Sequence, residues 1–134
     1  MLKVVVIDAN AISRNLLTSV LVNGGYNVVG DANTSSAGLA SMIKLQPQMV
    51  CIDIGTADDE GMAKLDALRA ELPKVLLFMV SGNFDSATVQ TALDKGVHGF
   101  IVKPFKSGTV LTAIRNAVIK LAKQRRTQTE AASE

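Results

Sequence analysis

The chain is poor in the side chains that most often announce a chemistry. It has no Trp, one Tyr and four Phe in 134 residues, too few aromatics for a surface that stacks nucleobases. Its one cysteine, Cys51, excludes an internal disulfide, fits a reducing compartment and, flanked by Val50 and Ile52, reads as a small buried hydrophobe. The single histidine, His98, has no acidic or cysteine neighbours at ligand spacing and is assigned no metal role, and its place at the start of the last strand does not suit a Ser/His/Asp hydrolase. No glycine-rich loop of the Walker type occurs. No run approaches the roughly 20 apolar residues that cross a bilayer, and the apolar start, Leu2 to Ile7, breaks at Asp8 without a cleavage site. A net charge of +2, with only a short basic run at Lys120, Lys123, Arg125 and Arg126, does not describe a nucleic-acid or membrane surface. The expectation is a soluble cytoplasmic protein with no direct nucleic-acid partner and no membrane contact.

What the chain does have is apolar periodicity. At 48% hydrophobic residues, 134 residues suffice for one two-sided core. Apolar and β-branched runs predict strands at Lys3 to Ile7, Tyr26 to Gly30, Met49 to Asp53, Val75 to Val80 and Gly99 to Val102. Between them the period changes to that of helices. Ile12, Leu16, Leu17, Val20 and Leu21 form the first helical stripe; Leu39, Met42 and Ile43 the second; Met62, Leu65, Leu68 and Leu72 the third. Val89, Ala92 and Leu93 form the fourth, and Val110, Leu111, Ile114, Val118 and Leu121 the last, which begins near Ser107. Asn23-Gly24-Gly25, Pro73 and Lys95-Gly96 end helices, while Ser35 and either Asp85 or Ser86 offer capping oxygens. Five strands alternating with five helices predict an α/β fold with a doubly wound, five-stranded parallel sheet covered on both faces. The domain is expected to span 1–124, with 125–134 a disordered C-terminal tail.

Four polar residues stand at the C-terminal ends of four strands: Asp8, Asp53, Ser81 and Lys103. A parallel sheet brings such positions to one rim, where ligands collect in open α/β sheets. Two carboxylates, a hydroxyl and an ammonium suit phosphoryl chemistry: an Asp can be the nucleophile, acidic oxygens can hold a divalent cation, and Lys and Ser can hold phosphoryl oxygens. The loop after the first strand lacks the glycines and hydroxyls of a phosphate cradle, which argues against a flavin or nucleotide enzyme on this fold.

Val6-Ile7-Asp8, Cys51-Ile52-Asp53 with Gly61 further on, Ser81-Gly82 and Gly99-Phe100-Ile101-Val102-Lys103-Pro104-Phe105 together resemble a bacterial two-component response-regulator receiver domain. The likeness is to the single-domain chemotaxis regulators, and it runs from about Leu2 to the last helix. It implies a flavodoxin-like strand order 2-1-3-4-5 and a signalling domain that is not itself an enzyme. It implies that Asp53 is the phosphoacceptor, served by a histidine kinase or phosphotransfer protein. Ser81 and Lys103 would bind the phosphoryl oxygens, while Asp8, Asp53 and the backbone carbonyl of Gly55 would hold Mg2+. Ser81 and Phe100 would form the switch, and Pro104 would follow a cis peptide bond. A target protein would dock on the fourth helix, fifth strand and fifth helix, here Ala87 to Ala122, and a homodimer is a further partner of that kind.

The chain departs from the family pattern at Ala9, where a second acid usually follows Asp8. Asn10 offers only a neutral amide oxygen, and Asp58, Asp59 and Glu60 lie further along the loop after the third strand. Mg2+ binding is therefore expected to be weakened. Losing that carboxylate also lowers the repulsion in the empty pocket, so the pocket needs a cation less. The alternative that follows is a pseudo-receiver, an interaction module that works without phosphorylation.

Overall fold

A computed structural model describes residues 2–133; Met1 and Glu134 lie outside the described residues. The elements alternate as β1 (Lys3–Ile7), α1 (Ala11–Asn23), β2 (Asn27–Ala32), α2 (Ser36–Lys44), β3 (Met49–Ile52), α3 (Asp59–Glu71), β4 (Leu76–Ser81), α4 (Ser86–Asp94), β5 (Gly99–Val102) and α5 (Ser107–Ser133). The sheet has five strands in the order β2-β1-β3-β4-β5, and every neighbouring pair is parallel. The direction of winding therefore reverses between β1 and β3, which opens a crevice at their C-terminal ends.

Alternation along the strands divides the core in two. Val5, Ile7, Val50, Ile52, Leu77 and Met79 pack under α2, α3 and α4 with Met42, Leu65, Leu68 and Ala92. Val4, Val6, Met49, Cys51, Phe78 and Ile101 pack on the other face under α1 and α5 with Leu17, Leu21, Val110 and Ile114. Cys51 sits at 0% exposure, where burial pushes its thiol up to about 12 and keeps it protonated and inert.

Two expectations, one on α1 and one on α4, are corrected. Ile12 and Leu16 are 73% and 56% exposed instead of inward-facing. At about 100° per residue they lie roughly 140° and 100° around the helix from the buried Leu17, so the true stripe of α1 is the narrower Leu17–Val20–Leu21. Leu93 is exposed for the same reason, one residue round from the buried Ala92. No glycine or proline follows Gly108, and α5 runs from Ser107 to Ser133.

One side chain that sequence periodicity did not single out ties two helix ends together. Arg69 on α3 donates from Nη1 to the carbonyls of Pro73 (3.1 Å) and Val75 (2.9 Å), and from Nη2 to that of Gly96 beyond α4 (2.6 Å). Gly96 lies at φ +89°, in the left-handed region, and a Cβ there would stand 2.9 Å from Arg69 Nε.

Candidate functional site

Asp8, Asp53 and Lys103 each occupy the first position beyond a strand, where the backbone amide still makes the last rung of the ladder. Asp8 N–H donates to Ala32 at 3.0 Å, Asp53 N–H to Ile7 at 2.9 Å and Lys103 N–H to Ser81 at 2.9 Å. Those bonds fix the three Cα atoms on the rim. Counting by twos from Val6, Cys51 and Ile101 assigns all three side chains to the α1/α5 side of the sheet, so they converge.

They meet as a triplet. Lys103 Nζ lies 2.6 Å from Asp53 Oδ2 and 2.9 Å from Asp8 Oδ2. Each carboxylate has its other oxygen engaged: Asp8 Oδ1 accepts from Asn10 N–H at 2.9 Å, and Asp53 Oδ1 accepts from Gly55 N–H at 2.8 Å. Burial alone would lower the Lys103 pKa, yet its bonds to Asp53 and Asp8 outweigh that effect and hold it above the usual lysine value. The arrangement is one ammonium shared by two carboxylates, a formal net charge of one negative, with Ala9 and Gly55 exposed beside it.

The other expected residues are placed as follows. Ser81 ends β4, on the opposite side of the sheet by alternation, and its hydroxyl is held by its own loop: it donates to the Asn83 carbonyl (3.0 Å) and accepts from Asn83 N–H (3.1 Å). Phe100 lies on β5 opposite Met79 and packs against the core beneath α2, α3 and α4. The Lys103–Pro104 peptide bond is cis. Gly55 adopts φ +78°, and with its amide turned to Asp53 it carries the chain round the rim.

Asn10 and Asp58 are already occupied as helix caps. Asn10 is the N-cap of α1, its Oδ1 accepting from Ile12 and Ser13 amides at 2.9 and 3.1 Å. Asp58 caps α3 by accepting from Gly61 N–H at 2.8 Å, with Asp59 and Glu60 in the first turn beyond it. A side chain at Gly61 would collide with the Thr56 carbonyl, so glycine lets the loop after Asp53 fold against the start of α3. Among the described residues no cluster of three or more His, Cys, Asp or Glu side chains could hold a metal ion. The oxygen-only donors Asp8, Asp53 and the Gly55 carbonyl suit a hard divalent cation that retains much of its own water, but with one carboxylate fewer than an acid at position 9 would give.

Two residues near the site carried no signal in the sequence reading. Arg14 on α1 donates from Nη1 to the Asp8 carbonyl at 2.7 Å, and its Nε forms an ion pair at 3.1 Å with Asp31 at the end of β2, without hydrogen-bond alignment. Its place as the fourth residue of α1, close to the end of β1, was the available hint. Phe84, in the loop after β4, meets Phe100 edge-to-face with ring centroids 5.0 Å apart and an interplanar angle of 73°.

Comparison with known proteins agrees with the fold. Residues 4–115 match the family model described as response regulator receiver domain. The chemotaxis protein CheY of Listeria monocytogenes is 27% identical over 117 residues, 87% of this chain and 98% of the relative. Among solved structures, the signal receiver domain of a modulated diguanylate cyclase from Desulfovibrio desulfuricans G20 is similar with a TM-score of 0.77 and 20% identity, covering 92% of this chain and 98% of the other. Chemotaxis protein CheY4 of Vibrio cholerae follows at 0.74 and 21%, covering 87% and 98%. At such identities the structural likenesses speak for the fold alone.

Proposed function

The chain belongs to the response-regulator receiver domain family, and from that premise we propose that it is a phosphoacceptor signalling domain with Asp53 as the acceptor. The observation that carries the reading is the Lys103 ammonium, 2.6 Å from Asp53 and 2.9 Å from Asp8. It marks an anion-binding point at the one carboxylate that both ends a central strand and opens onto solvent.

The phosphodonor is a histidine kinase or a phosphotransfer protein. A carboxylate oxygen of Asp53 attacks phosphorus in line with the phosphohistidine N–P bond; the O–P bond forms as the N–P bond breaks, and the imidazole leaves with the electron pair and takes a proton. Lys103 follows the negative charge onto a phosphoryl oxygen and stabilises it there without reorganising the rim, since its backbone is already fixed by Ser81. Asp8, Asp53 and the Gly55 carbonyl would hold Mg2+, whose contribution when bound is to neutralise charge on the phosphoryl oxygens. Ser81 gives up its donation to Asn83 and donates to a second phosphoryl oxygen. Phe100 repacks in response, and the change reaches the face of α4, β5 and α5. That face has exposed Leu93 and Val102 and a groove of about 380 Å³ lined by Phe100, Val102, Pro104, Thr109, Val110 and Ala113. Its occupant is a downstream target or a second copy of the chain.

No helix among the described residues is long and apolar enough to cross a membrane; we place the protein in the cytoplasm with its phosphodonor. Incubation with a small phosphodonor and Mg2+, read by intact mass, is expected to give a single phosphoryl adduct that Asp53→Asn abolishes. An unmodified chain, or an adduct that survives in Asp53→Asn, would overturn the proposal. The pseudo-receiver reading has one observation in its favour: with Ala9 in place of an acid, Lys103 already balances one of the two carboxylates without a cation. It would be supported by a target that binds wild type and Asp53→Asn equally.

A further inference from the structure

We infer that Phe84 is a positioning residue, carrying the state of the Ser81 hydroxyl to Phe100 and to the start of α4. This rests on the phosphoacceptor reading above and adds a part to it.

The Ser81 hydroxyl has one proton, and it is spent on the Asn83 carbonyl, while its oxygen accepts from the Asn83 amide. The loop Gly82–Asn83 is therefore folded around Ser81. Rotating Ser81 so that it donates to a phosphoryl oxygen on Asp53 breaks the donated bond and moves the accepted one. Gly82 has no side chain with which to hold the loop. The only large apolar side chain between Ser81 and Asp85 is Phe84, directly bonded to the residue that Ser81 releases.

Phe84 has two further connections. Its ring lies edge-to-face on Phe100 at 5.0 Å, and both rings pack against the core on the α2/α3/α4 side. Ser81 and Phe100 belong to that same side: on β4 and β5, Met79 pairs with Phe100 and Ser81 with Val102, so even and odd positions match across the pair. Phe84 also immediately precedes Asp85, the N-cap of α4, whose carboxylate accepts from Thr88 N–H at 2.7 Å. An apolar residue before the cap, with Val89 at the fourth helical position, has the spacing of a hydrophobic staple that sets the angle at which the chain enters the helix. A shift of Asn83 thus displaces Phe84, and Phe84 has Phe100 on one side and α4 on the other.

The test uses the full chain with beryllofluoride and Mg2+ as the probe. The fluorine resonance of the bound adduct reports occupancy at Asp53, and amide and ring NMR shifts report Phe100 and Ser86–Asp94. Wild type and Phe84→Tyr, which keeps the ring, are expected to show both. Phe84→Ala is expected to bind the probe yet lose the response at Phe100 and α4. Phe84→Leu, which keeps apolar bulk for folding but has no ring edge, is expected to lose the Phe100 response as well. A full Phe100 response in Phe84→Leu or Phe84→Ala overturns the relay and leaves the acceptor reading intact. No adduct in wild type overturns both.

Discussion

Lys103 Nζ stands 2.6 Å from Asp53 Oδ2, although the two residues follow strands separated in the sheet by β4. The reach is made from a side chain only 23% exposed, against an Asp53 side chain at 14%. An ion pair this enclosed is worth more than a surface pair but carries a desolvation cost, so its value to the protein is mainly in placing a positive charge where a phosphoryl group would arrive.

Replacing Lys103 with Met removes that charge and leaves Asp8 and Asp53 facing each other. Acceptance of a phosphoryl group by Asp53 is expected to fall by about 100-fold, the usual loss for one electrostatic donor at a reacting oxyanion, measured as initial rate by intact mass. The pH dependence of stability has a definite sign. Because the folded-state pKa of Lys103 is raised, its contribution is full below the unfolded value of about 10.4 and disappears as pH rises through the folded value. Denaturant midpoints of wild type and Lys103→Met should therefore converge in the alkaline range above about pH 10.4.

Ala9→Asp restores a third carboxylate at an exposed position beside Asp8. Tighter Mg2+ binding by about 10- to 100-fold is expected, on the scale of one added charge contact near a protein surface. Without the ion the same change adds repulsion, so the melting temperature should drop in chelator and recover with magnesium. A calorimetric titration and two thermal melts check both parts; equal affinity in wild type and variant would show that position 9 does not limit the site.

His98 should make the fold acid-sensitive. Its Nδ1 accepts from Leu77 N–H at 3.1 Å, which requires the unprotonated nitrogen. Burial, then Arg69 and Arg125, lower its pKa below the ordinary value of 6.5. The folded chain therefore binds its proton less readily than the unfolded one, so stability is full above about pH 6.5 and declines as pH falls from there toward the folded value. His98→Asn, whose amide oxygen can accept the same bond without titrating, is expected to flatten this part of the stability profile. An unchanged slope between about pH 7 and pH 5 would place the acid sensitivity elsewhere.

Arg69→Met is expected to destabilise by about 1–2 kcal/mol, since the Val75 and Gly96 carbonyls it leaves without a donor are part-buried and that of Pro73 is exposed. Arg69→Lys should recover little of it, because one ammonium cannot span the Pro73, Val75 and Gly96 carbonyls that the guanidinium reaches. Urea unfolding of the two variants gives the comparison.

The layers and the rim follow from the residue pattern alone. Strand and helix periods differ so clearly that Lys3–Ile7, Gly99–Val102 and the start of α5 at Ser107 could be read directly, and acids at the ends of apolar runs announced Asp8 and Asp53 as rim residues. Periodicity is less sharp about how wide a helical stripe is, which is why Ile12, Leu16 and Leu93 were expected inside and are exposed. The remaining features depend on directions and distances between segments. Lys103 is shared by Asp8 and Asp53, Ser81 is turned to its own loop, Phe84 lies against Phe100, and Arg69 joins α3 to the end of α4. A one-dimensional pattern states which residues face a core or reach an edge. It carries no term for which of several neighbours across a sheet a flexible side chain will choose, since that choice is set by strand register, burial and the competing partners present only once the chain has folded.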